Sequence, residues 1–264
     1  MDLDIEIIQK NRTTRVVGRD IRLFKTVTST NDALRGLAKA GAPEGTVVIA
    51  DEQTSGHGRL GKPWFSPPGV NLYASVLFRP PIPPREVAGF SFLASLAISD
   101  AIKAEGLEPT IKWPNDVLVD RKKVAGVLVE FATIDNRVDY VILGAGVNLN
   151  VPRDALRAAL GSSGRAAGSL HEAAGREIDR NAFAASVLNR LEAWAETYRT
   201  RGPAPLLAAW LDRDILTGRR VEVRGEGVPY EGRVLRVDRE GHLVLRDLLG
   251  KRRRVLTGEI RLCD

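Results

Sequence analysis

Gly56, Gly58 and Gly61 stand in the run "VVIADEQTSGHGRLGKPWFSPPGVNLY", interleaved with His57, Arg59 and Lys62 and followed by Trp64. Glycines at this spacing let successive backbone N–H groups turn inward and form a concavity that accepts an anion. An arginine among them can fork onto a phosphate or carboxylate, and an indole beside them offers a flat face to a base or ring. The spacing also fits G-x-G-x-x-G, the turn that binds dinucleotides. That turn needs its third glycine to open a helix facing the pyrophosphate, with an acid about 20 residues on for the ribose. Here "KPWFSPPG" follows instead: Pro63 disfavours helical geometry at Lys62, Pro67 and Pro68 interrupt the next turn, and the next acid is Glu86. The dinucleotide reading fails. The loop reads as a clamp for a small anion next to Gln53.

A second constellation is "IKWPNDVLVDRKKVAGVLVE". Trp113 precedes Pro114, which predicts extended backbone there. Asn115 and Asp116 offer acceptors for a turn, a metal ion or an amine, and either Lys122 or Lys123 could point inward from the apolar strand that follows. A third piece, "GAGVNLN", ends an apolar strand in small residues plus Asn148, which suits close approach of backbone to a ligand.

The elements that must position these residues follow from period and punctuation. "IRLFKTV" (21–27) reads as a strand, "STND" as the cap of a helix ending at Gly41, and 46–51 as a β-branched strand leading into the glycine loop. A strand at 70–80 ends in a proline cluster, and apolar residues at 3–4 spacing predict a helix over 85–105. Three β-rich segments carry the second and third constellations, and helices are predicted over 180–200 and 205–212. After Thr217 short alternating segments punctuated by Gly and Asp predict a small β-barrel, with a domain boundary at residue 216. The fold class expected is α+β, a catalytic domain over 1–216 and a barrel over 217–264.

The chain has 264 residues and a net charge of +6, which favours an anionic ligand or acidic partner without singling out nucleic acid. Most of the excess lies in the tail, where twelve Lys and Arg face eight Asp and Glu. Cys263 is the only cysteine, so an intrachain disulfide is excluded. His57, His171 and His242 form no spaced ligand motif, which leaves any metal ligands unassigned. The acidic N-terminus lacks a signal-peptide pattern, and no membrane span is expected. A reducing, cytoplasmic setting is expected.

Four blocks in order, "TSTND", "QTSGHGRLGKPWFSPPGVNLYAS", "KWPNDVLVDRKKVAGVLVE" and "GAGVNLN", resemble the biotin protein ligases over residues 20–215. The resemblance implies a mainly antiparallel mixed sheet with helices packed on it, similar to class II synthetases, followed by an SH3-like barrel. It implies that ATP activates biotin as biotinyl-5′-AMP, with Mg2+, and that a lysine of a biotin carboxyl carrier protein then receives the biotinyl group. Ser29, Thr30, Asn31, Gln53, Gly56, His57, Gly58, Arg59, Lys123, Gly126 and Leu128 match biotin-binding positions. Arg59, Trp64, Lys112, Asn115, Asp116, Lys123 and Asn148 match positions around the adenylate, Trp64 covering the adenine. Lys123, Arg59 and Asp116 carry the catalytic expectation: the cations offset charge that develops on oxygen, worth ~3–4 kcal/mol per lost donor in comparable sites, and Asp116 accepts a proton from the carrier lysine.

Two positions depart from the family pattern. His57 stands where the family loop usually has an arginine, and Thr28 stands where an acid commonly precedes "STN". A lipoate ligase or octanoyl transferase is the nearest rival, but none of the three histidines precedes Asp and Cys263 is next to last. The residues ahead of Ile21 are too few for a winged helix, so no specific DNA binding is expected. A homodimer is compatible with the resemblance.

Overall fold

The computed structural model describes residues 2–225 and 228–263. Strand β1 (Ile21–Val27) runs parallel to β2 (Val47–Gln53), and helix α2 (Thr30–Lys39) makes the crossover between them. All other pairings are antiparallel: β3 (Leu72–Phe78), β4 (Thr110–Lys112), β5 (Asp116–Val119), β6 (Lys122–Ile134) and β7 (Arg137–Val147) complete a seven-stranded sheet in the order β1-β2-β3-β7-β6-β5-β4. Residues far apart in sequence therefore meet at the centre, where β7 lies between β3 and β6.

Two apolar layers flank the sheet. On one face α3 (Gly89–Ala104) and α6 (Arg180–Arg201) bury Phe90, Leu93, Ala97, Phe183 and Leu188 against Val76, Leu143 and Ala145. Asp179 caps α6 by accepting from the backbone N–H groups of Asn181 and Ala182. On the other face Leu34 and Ala38 of α2 pack with Val48, Leu77 and Ile142. The sequence from Pro84 to Ala104 is long and apolar enough to cross a membrane. Its burial in the core accounts for that composition.

Several expectations are corrected. The helix expected from residue 85 begins at Gly89, because Pro83 and Pro84 confine the preceding segment to one tight turn. The Trp113–Pro114 bond is cis, and Trp113 is buried. Helices α1 (Ile5–Asn11), α4 (Arg153–Leu160) and α5 (Leu170–Ala174) were not expected, whereas α7 (Ala204–Leu211) was.

The expected barrel is an open antiparallel sheet among the described residues. Strands β8 (Arg220–Arg224), β9 (Tyr230–Val237), β10 (Leu243–Asp247), β11 (Arg252–Val255) and β12 (Glu259–Leu262) pair in the order β11-β10-β9-β8-β12, with β11 and β12 at the two edges. Its apolar face (Val221, Val223, Val234, Leu243, Leu245) belongs to the same buried cluster as α3 and Trp113. The Trp113 indole N–H donates to Gly241 O at 2.8 Å, tying the two sheets together.

Candidate active site

The β5–β6 hairpin turns through Asp120 and Arg121, both at positive φ, and this tight turn sets which lysine faces inward. Lys123 Nζ lies 2.6 Å from Asp116 Oδ1 and 5.2 Å from the centroid of the Trp64 ring. Lys122 is carried to the opposite side, where it pairs with Glu172 at 2.6 Å. Of the two lysines, it is Lys123 that meets Asp116 and Trp64.

Lys112 on β4 is directly opposite Asp116 in the strand register. Burial holds its ammonium below the usual lysine range; the charge of Asp116 opposes that shift and Lys123 adds to it. Arg59 is affected in the same way: burial lowers its guanidinium, and Asp116 draws it back up. The Arg59 guanidinium lies 5.9 Å from the Trp113 ring, and its Nη2 donates to Thr257 Oγ1 at 2.8 Å. Three cations from three separate segments thus share one carboxylate.

Above them is a shelf without side chains. Gly126 and Gly146 are register partners on β6 and β7. The Trp64 indole lies on both: a Cβ at Gly146 would come 2.4 Å from Nε1, and one at Gly126 would come 3.1 Å from Cζ3. Trp64 Nε1 is buried without a hydrogen-bond partner, an uncompensated cost of about 1–3 kcal/mol. The two glycines make a surface for a flat ring, and in this structure the indole rests on it.

Next to the shelf is a cleft of about 400 Å³ lined by Gln53, Gly56, His57, Trp64, Ser66 and Leu160. Gln53 Oε1 accepts from the Thr30 backbone N–H at 2.9 Å, and its Nε2 donates to Ser66 Oγ at 3.0 Å. Ser29, Thr30 and Asn31 are all buried at the start of α2. Ser75 contacts Thr30 and Asn31, and Glu130 contacts Asn31. Sequence reasoning missed Ser75 and Glu130, whereas Gly146 lies among the small residues of "GAGVNLN" expected to let backbone approach a ligand. The available signal was polar residues inside "YASVLF" and at the end of "VAGVLVE", strands otherwise apolar.

The remaining expected positions are placed as follows. His57 is half-buried, with Nδ1 3.3 Å from Ser55 O. Gly58 N donates to Lys62 O, closing the glycine loop on itself. Leu128 is half-buried opposite Gly144. Asn115 binds the backbone of Val127 through both its main chain and its amide. Asn148 is buried, and its Nδ2 donates to Gly168 O at 3.0 Å, pinning the segment before α5. Away from the cradle, Asp238, Glu240 and His242 bring three ligand atoms within 4.8 Å of one another. Both carboxylates there are paired with Arg254.

Residues 23–148 match the Biotin/lipoate A/B protein ligase family. The bifunctional ligase/repressor BirA of Bacillus spizizenii is 34% identical over 233 residues, 88% of this chain and 71% of that protein. The biotin–[acetyl-CoA-carboxylase] ligase of Mycobacterium tuberculosis is 32% identical over 249 residues, covering 92% of this chain and 88% of that one. Among solved structures, the biotin protein ligase of Aquifex aeolicus in complex with biotin and ATP superimposes with a TM-score of 0.74 at 27% identity, covering 92% of this chain and 98% of the other.

Proposed function

The chain belongs to the biotin/lipoate protein ligase family, and from that premise we propose that it is an ATP-dependent biotin protein ligase that modifies a lysine of the acetyl-CoA carboxylase carrier domain. The observation that carries this reading is the convergence of Arg59, Lys112 and Lys123 on Asp116, beside a shelf of two glycines. Relatives whose names and structures include biotin, ATP and biotinyl-5-AMP support it.

In the first step the biotin carboxylate attacks the α-phosphorus of ATP, a P–O bond to pyrophosphate breaks, and biotinyl-5′-AMP forms. Negative charge accumulates on phosphate oxygens as this happens. Lys112 and Lys123 already stand beside Asp116, so they oppose that charge without reorganising, and Arg59, held at Thr257, moves in to join them. Burial disfavours the charged forms of Arg59 and Lys112 in the free protein, and an arriving anion offsets that penalty. Mg2+ would accompany ATP and would supply further charge neutralisation on the phosphates. The side-chain oxygen of Asn115, whose Nδ2 donates to Val127 O, would be an oxygen ligand of the type that ion takes.

In the second step the carrier lysine attacks the anhydride carbonyl, the C–O bond breaks and AMP leaves. Asp116 is the group placed to take the amine proton, since it faces the cradle and is already an acceptor for Lys123. Trp64, with Gly126 and Gly146, holds the flat part of the ligand and excludes water from the anhydride. All these groups come from one chain, so a single copy suffices for the chemistry. We place the protein in the cytoplasm, where ATP is supplied, and the boundary between catalytic unit and terminal sheet at residue 216.

The test is incubation with biotin, magnesium ATP and a carboxylase carrier domain, followed by mass spectrometry of the carrier. One added biotinyl group is expected. Modification by lipoate in a parallel reaction, with none by biotin, would transfer the assignment to the other branch of the family.

A further inference from the structure

Polar side chains run from Glu130 through Asn31, Ser75 and Thr30 to Gln53, and hydrogen-bonding chemistry alone assigns their protons. Glu130 Oε1 lies 2.7 Å from Arg35 Nη2, and a carboxylate in an ion pair only accepts. Its Oε2 lies 2.6 Å from Asn31 Nδ2, which turns the amide oxygen of Asn31 the other way. That oxygen lies 2.6 Å from Ser75 Oγ, so Ser75 must donate its one hydrogen there. Ser75 Oγ then has no hydrogen for Thr30 Oγ1, so the single hydrogen of Thr30 has two acceptors, Ser75 Oγ at 2.8 Å and Gln53 Oε1 at 3.2 Å, and the shorter contact takes it.

Thr30 then has nothing left to donate to Gln53 Oε1, 3.2 Å away. The Gln53 amide cannot turn to compensate, because Oε1 accepts from the Thr30 backbone N–H and Nε2 donates to Ser66. Two acceptor oxygens therefore face each other with no proton between them, at the wall of the cleft that Gln53 and Ser66 line. Thr30, Asn31 and Ser75 are at most 4% exposed, so water does not reset the order. Gly144 leaves room for it: a Cβ there would stand 2.2 Å from Asn31 Oδ1.

Left to itself the chain would invert. With Asn31 flipped, Ser75 would accept from the amide and donate to Thr30, and Thr30 would donate to Gln53, satisfying the oxygens of Ser75, Thr30 and Gln53 while the Asn31 oxygen turned toward the Glu130 position. We propose that Glu130 is a positioning residue that prevents this inversion: through Asn31 and Ser75 it keeps Thr30 and Gln53 as a paired acceptor for an N–H donor of the substrate. Resting on the ligase reading, that donor is an N–H of the ureido group of biotin.

The experiment measures biotin affinity by calorimetry on the full chain without ATP. Glu130→Ala is expected to weaken binding at least tenfold while kcat at saturating biotin stays within twofold. Asn31→Asp supplies a readout that loss of packing would not move. The new carboxyl would face Glu130 on β6, Arg35 and Asp32 on α2 and Tyr140 on β7. Protonated, it donates to Glu130 and accepts from Ser75, reproducing the amide; ionised, it repels Glu130. Its biotin Kd is expected to rise at least fivefold between about pH 6 and 9, with the wild type flat over the same range. A Glu130→Ala protein that binds biotin within twofold of wild type, or an Asn31→Asp protein with wild-type pH dependence, would overturn the relay alone. A wild-type chain that takes up no biotin would overturn the ligase reading, and the identity of the donor with it.

Discussion

The guanidinium of Arg59 and the hydroxyl of Thr257 are hydrogen-bonded at 2.8 Å although 198 positions separate them in the chain. Lys62 repeats the link three residues on, 2.8 Å from Glu259. The glycine loop is thus moored at two points, to Thr257 in the turn between β11 and β12 and to Glu259 at the start of β12. An anion that draws Arg59 into the cradle competes with this mooring.

Glu259→Ala should therefore loosen the loop without unfolding the protein. The Lys62 pair is exposed and worth at most about 1 kcal/mol, so the melting temperature is expected to stay within a few degrees. The KM for ATP is expected to move about threefold, equivalent to ~0.6 kcal/mol. Steady-state kinetics with the variant, beside a thermal melt, check both.

Lys123→Met and Asp116→Asn should separate the two chemical steps. The lysine variant is expected to lose about 10²–10³ in the rate of adenylate formation, the usual cost of one pre-placed donor. The Asp116→Asn protein keeps its cations and is expected to form adenylate, but to pass biotin from preformed adenylate to the carrier more slowly. Rapid-quench measurement of each half-reaction is the check. Equal loss in both steps would remove the proton-acceptor role from Asp116.

Gly146→Ala should evict the indole. Its Cβ would come 2.4 Å from Trp64 Nε1, closer than non-bonded atoms approach, and the shelf is backbone that cannot give way. The fluorescence of Trp64 is expected to change, and ATP affinity to fall at least tenfold, because the proposed site seats the adenine on this surface. Difference spectra between the variant and the same substitution in a Trp64→Phe background isolate the signal.

How far the sequence anticipated this site depends on where each residue's partner lies. Arg59 and Trp64 were legible because glycines, cation and indole fall within one short run whose local chemistry is self-announcing, whereas Gly126, in a separate strand, was reached through the resemblance. Ser75 and Glu130 were not, because each sits in a β-branched strand that reads as core, and only the meeting of β3, β7 and β6 with the start of α2 gives them partners. Thr257 was hidden for the same reason at greater distance. The short helices α4 and α5 escaped because eight and five residues are too few for a clear periodic signal. The expected barrel was half right: alternation identifies strands, but closure depends on edges that meet only in three dimensions, and β11 and β12 do not.

Arg180→Met should test the support beneath the glycine loop. Arg180 is 1% exposed and lies 2.7 Å from Asp51, whose Oδ1 also accepts from Gly69 N. Burial would raise the Asp51 carboxyl; hydrogen bonds from Lys25, Arg180 and Gly69 outweigh it and hold the carboxyl below its usual range. Its contribution to stability is then present above the unfolded pKa and is lost as pH falls through the lower folded value. Removing Arg180 alone leaves a buried charge and is expected to cost about 3–5 kcal/mol. Adding Asp51→Asn should recover part of that cost, because the charge goes too. Chemical denaturation of the single and double variants at neutral pH decides it.

Lys112 should set the alkaline limit of ATP binding. Its ammonium is held below the usual lysine range by burial, and Lys123 adds to the shift while Asp116 opposes it. A bound triphosphate favours the protonated form, so the complex holds more protons than the free protein at any pH near the lowered pKa. By linkage the affinity for ATP must then fall as pH rises through that value, earlier than an ordinary lysine would allow. Folding stability changes in the opposite sense: the unfolded chain holds the proton more tightly, so raising the pH relieves the cost of burying the charge. Calorimetry in two buffers of different ionisation enthalpy at alkaline pH should show proton uptake on ATP binding. Lys112→Arg, which stays charged, is expected to abolish the uptake and flatten the affinity profile. Uptake that persists in this variant would assign the titration to another group.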